Sequence, residues 1–176
     1  MKIALVSDTH IPTSLAQLPD ELLRQIEGVD AILHAGDIVS NHVLNVLSAI
    51  APVTAVAGNS DPPEVTRTLS DKEVIQMEGR TIGLKHGHQP HGVQSHYIGS
   101  SYDSPEMEVF FQLMASQLPE AEIIVFGHFH RPVVKQWNDI TFINPGAVAP
   151  AHGECSFAML ELGETVNVRI LPLATR

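Results

Sequence analysis

Five short stretches hold polar side chains of metal-ligating type: Asp8-Thr9-His10, Gly36-Asp37, Gly58-Asn59-Ser60-Asp61, His86-Gly87-His88 and Gly127-His128-Phe129-His130. Asp8, His10, Asp37, Asn59, His86, His128 and His130 together offer two carboxylates, one amide and four imidazoles. That is too many donors for one four-coordinate zinc, but it suits two five- or six-coordinate ions that share a bridging ligand. Mixed oxygen and imidazole donors favour manganese, iron, nickel, cobalt or zinc over calcium or magnesium. Two such ions about 3.5–4 Å apart clamp an in-line phosphoryl displacement. Asp37, central in the series, is the natural bridge. Two divalent cations less two carboxylates leave a charge of about +2, which a bridging hydroxide and a phosphodiester monoanion would neutralise.

Taken singly, an Asp-x-His or a His-x-His at the end of a strand is usually a solvated pair. A site requires that they converge, and therefore depends on the elements that carry these residues. Short apolar runs precede each stretch: KIALVS (2–7), AILHA (31–35), VTAVA (53–57), TIGLK (81–85) and EIIVF (122–126). Runs of this length, rich in Val and Ile and bounded by Gly or Asp, read as strands buried on both faces. Helical spacing appears over 14–28 (Leu22, Leu23, Ile26), 40–50 (Val43, Leu44, Leu47, Ile50) and 104–118. In the last, Ser104 is a candidate cap, Pro105 suits the first helical position, and Met107, Phe110, Phe111, Met114 and Leu118 form one apolar stripe. Hairpin turns are expected at Glu78-Gly79, Asn138-Asp139 and Gly163-Glu164. A βαβαβ start followed by hairpins predicts an α/β protein, a two-sheet β-sandwich flanked by helices, in one domain over 1–176. In open α/β sheets the carboxyl ends of the strands line one crevice, so the seven donors should meet there.

Composition sets the bounds. With 44% hydrophobic and 17% charged residues over 176 positions, the chain can bury a sizeable core. Ten histidines against ten Lys plus Arg is an unusual balance and a first compositional pointer to metal. The formal net charge of −10 argues against long nucleic acids, whose binding needs clustered cations. Cys155 is the only cysteine, which excludes a disulfide framework and a thiolate cage and reads as a small buried hydrophobe in a reducing compartment. No run is long enough for a bilayer span, and the apolar start is too short for a signal sequence, so a soluble, cytoplasmic protein without membrane partners is expected.

The ordered set D-x-H, GD, GN-x-D, HGH and GHFH resembles the calcineurin-like metallophosphoesterases, and the length resembles their small prokaryotic phosphodiesterase branch, related to the retromer scaffold subunit. The resemblance spans residue 3 to about 162 and implies a four-layer αββα fold. It assigns Asp8, His10, Asp37 and His130 to one metal, and Asp37, Asn59, His86 and His128 to the other. The activity implied is hydrolysis of small phosphodiesters by metal-bound hydroxide, with manganese the leading metal. A protein–protein scaffold of the retromer type and a nuclease are the competing readings. Three departures bear on the phosphate side. Ser60 stands where many relatives have a histidine that protonates the leaving group, and a hydroxyl is too weak an acid for that role. Ala147 follows Asn144-Pro145-Gly146 where the branch usually has serine, and an arginine expected downstream is missing from VAPAHGE.

The remaining histidines divide. His88, two residues past a proposed ligand, is the candidate catalytic residue: a neutral imidazole there orients a phosphate oxygen or donates the proton that Ser60 cannot. A supporting structural role is its alternative. His34, inside a strand, reads as a hydrogen-bonded core residue that supports the metal shell from behind, and His42 as surface. His91, His96 and His152 fall in loops. The polar segment 89–104, with two tyrosines, is expected to be a substrate-facing lid or a subunit contact, which leaves a homo-oligomer open.

Overall fold

The computed structural model describes residues 1–150 and 153–174. Residues 2–6, 31–34 and 53–55 form three parallel strands, β1 (Lys2–Val6), β2 (Ala31–His34) and β3 (Val53–Ala55). They are joined by α1 (Asp20–Gln25) and α2 (Asn41–Ser48). Two antiparallel strands, β9 (Cys155–Leu162) and β10 (Val166–Leu173), complete this sheet in the order β10-β9-β1-β2-β3. After a short α3 (Pro63–Thr66), a second sheet is built from β4 (Lys72–Met77), β5 (Arg80–Lys85), β6 (Ile123–Val125), β7 (Val133–Trp137) and β8 (Ile140–Asn144), in the order β4-β5-β6-β8-β7. Between β5 and β6 the chain passes through α4 (His91–Gln94) and α5 (Met107–Gln117), and β5, β6 and β8 run parallel.

Alternation along the strands makes the layers. Ile3 and Leu5 of β1 face the second sheet and pack with Ile82, Leu84, Ile123 and Val125. Their neighbours Ala4 and Val6 face the other way, against Leu22 of α1, Ile26 just after it, and Val43 and Leu47 of α2. On the far side, Ile124, Phe126 and Phe142 meet the expected stripe of Met107, Phe110, Phe111, Met114 and Leu118. Helix, sheet, sheet and helix are thus held by three apolar seams, as the sandwich expectation requires.

Two helices are shorter than their periodicity suggests. The first begins only at Asp20 and not at residue 14, because Pro19 takes the N-cap position and disfavours helical backbone in the residue before it. The third begins at Met107. Ser104 does not cap it: Ser104 N donates to Ser101 O and its carbonyl accepts from Met107 N, tight turns that delay the α-helix. Cys155 is partly exposed at the start of β9 and not fully buried. All three expected hairpins form, with Glu78 and Asn138 at positive φ in their turns. Among the described residues no helix is long and apolar enough to cross a membrane.

Candidate metal centre

Every parallel strand named above ends at the same edge of the sandwich, and the chain then turns abruptly. Among the described residues, eight non-glycines have positive φ, and five of them are Asp8, His10, Asp37, His128 and His130. This backbone region is costly for such residues, and clusters of it mark functional turns. Its effect is geometric. In Asp8-Thr9-His10 and in His128-Phe129-His130, two left-handed residues flank a buried one, and their side chains meet in one place. Close approach of the exits requires two glycines. A Cβ on Gly127 would collide with Ser7 Oγ, and one on Gly58 with the Asp37 carboxylate. Backbone bonds clamp the first two exits, from Asp8 N to Gly36 O at 3.0 Å and from His10 N to Asp37 O at 3.1 Å.

Two groups of three ligand-bearing residues result, Asp8–His10–His130 and Asp8–Asp37–His86. Asp8 Oδ1 lies 3.1 Å from His130 Nε2, 3.8 Å from His10 Nε2 and 4.0 Å from His86 Nε2. Its other oxygen is taken up by Ser7 Oγ and by the backbone N–H of His128. Asp37 spans the centre differently: Oδ1 is 3.4 Å from His86 Nε2 and Oδ2 is 3.7 Å from His10 Nε2. Ser60 holds Asp37 with its backbone N–H and its hydroxyl, each at 2.8 Å. His10 and His130 face one another with ring nitrogens 3.3 Å apart.

His86 is fully buried, and its Nδ1 lies 2.7 Å from Ala35 O. A carbonyl can only accept, so Nδ1 carries the proton and Nε2 is the nitrogen left to bind a metal. Neither His86 Nε2 nor Asp8 Oδ1 has a hydrogen-bond partner, although both are buried. Unpaired buried polar atoms are costly. Divalent cations in the cluster would give each of these atoms a partner, so the donor set fits such ions.

The electrostatics agree. Burial acts to lower the basicity of His86, but the Asp37 and Asp8 carboxylates outweigh it and hold the imidazole up at about 9. Burial would raise Asp37 and Asp8; the imidazoles beside them, His86 for Asp37 and His130 with His86 for Asp8, keep both carboxyls below the usual range. Burial, reinforced by His86, pushes His128 down to about 4. His130 is raised by its contact with Asp8.

Asn59 and His128 lie outside these two groups. Asn59 is exposed at the third exit with its amide 3.4 Å from Ser60 Oγ. His128 packs edge-on to His86, with ring centroids 5.3 Å apart, and its Nε2 meets Gln94 Oε1 at 3.1 Å. His88 is half-buried, 5.6 Å from the His86 ring, and its Nδ1 is buried without a partner. Burial first, and His86 second, lower its basicity.

His34 bonds Thr9 Oγ1 at 3.2 Å and accepts from Gly36 N at 3.3 Å. It braces two of the strand exits from the core and touches no ligand atom. His42, His91 and His96 are exposed, and His152 lies outside the described residues. Ala147 is fully buried and its carbonyl accepts from Ser156 N.

The pattern of the calcineurin-like phosphoesterase superfamily domain matches residues 1–165. The chain belongs to this superfamily. Membership implies divalent metal ions, which the donor cluster accommodates. A probable metallophosphoesterase of Methanothermobacter thermautotrophicus is 30% identical over 97% of this chain and 92% of its own length. A phosphodiesterase of Escherichia coli K12 is 26% identical over 92% of this chain and 88% of its own. Vps29 of Entamoeba histolytica superposes with a TM-score of 0.74 at 22% identity, covering 99% of this chain and 100% of that one, a likeness of fold.

Two residues that position this superfamily site escape motif reading. Asp61, visible only as the last letter of GN-x-D, accepts from Ile38 N, Val39 N and Gly58 N at 2.6–2.7 Å and so ties the second exit to the third. Gln94 reaches the centre from the segment after β5 and carries no motif signal at all.

Proposed function

We propose that the protein hydrolyses small phosphodiesters with two divalent transition-metal ions, manganese first, and iron, nickel, cobalt or zinc as the other candidates. The observation that carries this reading is the convergence of Asp8, His10, Asp37, His86 and His130 at one place, with the buried Asp8 Oδ1 and His86 Nε2 left without a well-formed hydrogen bond. Asp8, His10, Asp37 and His130 would hold one ion, and Asp37, Asn59, His86 and His128 the other. Asp37 is the better bridge, because its two oxygens face different histidines, His86 and His10, whereas Asp8 turns only Oδ1 towards the histidines. Asn59 is exposed and its long contact with Ser60 leaves its amide free to turn inward. When bound, the ions supply a water activated for attack on phosphorus and positive charge against the phosphoryl oxygens.

The chain's own side chains do the rest. Ser7 and the His128 N–H fix the carboxylate plane of Asp8, and Ser60 fixes that of Asp37. Because its hydroxyl is spent on Asp37, Ser60 is doubly unfit to protonate a leaving group. His88, kept neutral by burial, suits hydrogen bonding to a phosphoryl oxygen better than proton donation at neutral pH. The net charge of −10 supports small substrates over long nucleic acids, and the single free Cys155 suits a cytoplasmic setting.

A scaffold reading is kept in view by the Vps29 likeness. One Vps29 structure from Entamoeba histolytica is described as complexed with zinc, so metal binding by itself does not separate enzyme from scaffold. Turnover does. Metal-stripped protein reconstituted one metal at a time should hydrolyse bis-p-nitrophenyl phosphate fastest with manganese or another transition metal. Equal rates with magnesium would defeat the metal assignment, and no turnover with any metal would favour the scaffold.

A further inference from the structure

Gln94 belongs to none of the metal-ligand motifs, yet it touches one of the ligands proposed above. Its Oε1 lies 3.2 Å from the backbone N–H of Gln89 and 3.1 Å from His128 Nε2. A backbone N–H can only donate, so the Gln94 atom facing it is the oxygen and not the nitrogen of the amide. The same oxygen meets His128 Nε2, which must then carry a proton and donate it. His128 is thereby held as the Nε2–H form, with Nδ1 the lone-pair nitrogen. This is the opposite of His86, whose Nδ1 faces Ala35 O and whose Nε2 is free. Two imidazoles with ring centroids 5.3 Å apart are thus turned to offer different nitrogens to a metal, Nδ1 at His128 and Nε2 at His86, by partners from two different segments.

Gln94 is itself held firmly. Val93 and Tyr97 pack into the aromatic cluster over α5, with Tyr97 only 1% exposed against Phe110 and Phe129. Gln94 lies between them in sequence, its N–H donating to Pro90 O and its carbonyl accepting from Tyr97 N and Ile98 N. Farther along, the segment is tied to the strand exit of β6 by Tyr102 Oη donating to Arg131 O, and by Arg131 Nη2 donating to Ser100 O. The part of the chain that follows β5 is therefore a packed brace against His128.

We infer that Gln94 is a positioning residue: by accepting from His128 Nε2 it presents Nδ1 as the metal-binding nitrogen, and so couples the 89–104 segment to one of the two ion sites. This rests on the assignment of His128 as a ligand. Partners that orient a ligating histidine are worth about 10- to 100-fold in metal affinity.

The test has two readouts on the full chain. Long-range 1H–15N NMR of the metal-free protein should show the Nε2–H tautomer at His128, and Gln94→Met, which keeps the side-chain length and removes the acceptor, should shift it toward a mixture. Calorimetric titration with Mn²⁺ should show one of two ions bound about 10-fold or more weakly in Gln94→Met, and Gln94→Glu, which retains an acceptor for both donors, should restore it. A tautomer unchanged in Gln94→Met overturns the inference, as does an equal loss at both sites or a loss that Gln94→Glu does not rescue. Wild-type protein that takes up no Mn²⁺ defeats the metal reading instead, while the tautomer measurement still decides about Gln94.

Discussion

Asp37 carries more of the proposed site than any other residue, because its two oxygens reach histidines on opposite sides. Asp37→Ala should abolish diesterase activity and remove more metal, by elemental analysis, than His10→Ala or His128→Ala does. Retention of both ions would show that the bridge lies elsewhere, with Asp8 the next candidate. Ser60 and His88 govern a separate question, the fate of the leaving oxygen. With Ser60 bonded to Asp37, and His88 neutral, diesters with good leaving groups should react much faster than those with alkoxide-like ones. Ser60→His should flatten a plot of rate against leaving-group pKa over a series of aryl diesters. His88→Ala should lower the rate with little change of slope if it orients a phosphoryl oxygen, and steepen the slope if it donates the proton.

At the level of elements, the site exists because five strand exits are forced close together and turned by strained backbone. Asp61 compensates part of that strain. Val39 has φ of 72°, unfavourable for a β-branched residue, and its N–H donates to Asp61. Removing the carboxylate leaves three backbone donors without their partner. Asp61→Ala should cost about 2–4 kcal/mol in urea unfolding, and should weaken metal uptake because Asp37 and Asn59 sit on the two loops it joins. Unchanged stability would mean water replaces the carboxylate at little cost. Gly127→Ala acts on the other pair of exits. Its Cβ would meet Ser7 Oγ and Asp8, so loss of metal should accompany any folded product.

For the whole molecule, the centre links stability to pH and metal. In metal-free protein the raised His86 contributes stability fully below its ordinary value near 6.5, and loses it as pH rises towards about 9. The lowered Asp37 and Asp8 act in the other direction. Their contribution is present above the ordinary carboxylate range and is lost as acid protonates them. Thermal unfolding of metal-free protein should therefore show a falling midpoint from about pH 6.5 to pH 9. A divalent ion competes with the His86 proton, so stabilisation by Mn²⁺ should grow across the same interval. A metal-induced shift independent of pH would argue against His86 as a ligand.

Much of this architecture is legible along the chain because it depends on local pattern. Apolar runs of strand length, helical stripes and two-residue turn signals are set by side-chain periodicity and backbone preference, and these act over a few residues. The meeting of Asp8, His10, Asp37, His86 and His130 is legible for a related reason: strand ends in parallel sheets share one edge, so residues that follow them converge, while Asn59 and His128 lie outside those two groups. What depends on distant partners is not legible. Nothing near Asp37 in sequence announces that Ser60 and Asp61 hold it and its loop, and nothing in GHFH predicts left-handed backbone at both histidines. Pro19 and the turns at Ser104 shortened helices whose apolar spacing was otherwise sound. Gln94 is the extreme case. It is an ordinary polar residue in a polar loop, and only the packing of Val93 and Tyr97 onto the aromatic layer brings its oxygen to His128. Hydrogen-bond direction at a histidine is set by whichever group tertiary folding delivers, and that information is spread over the whole chain.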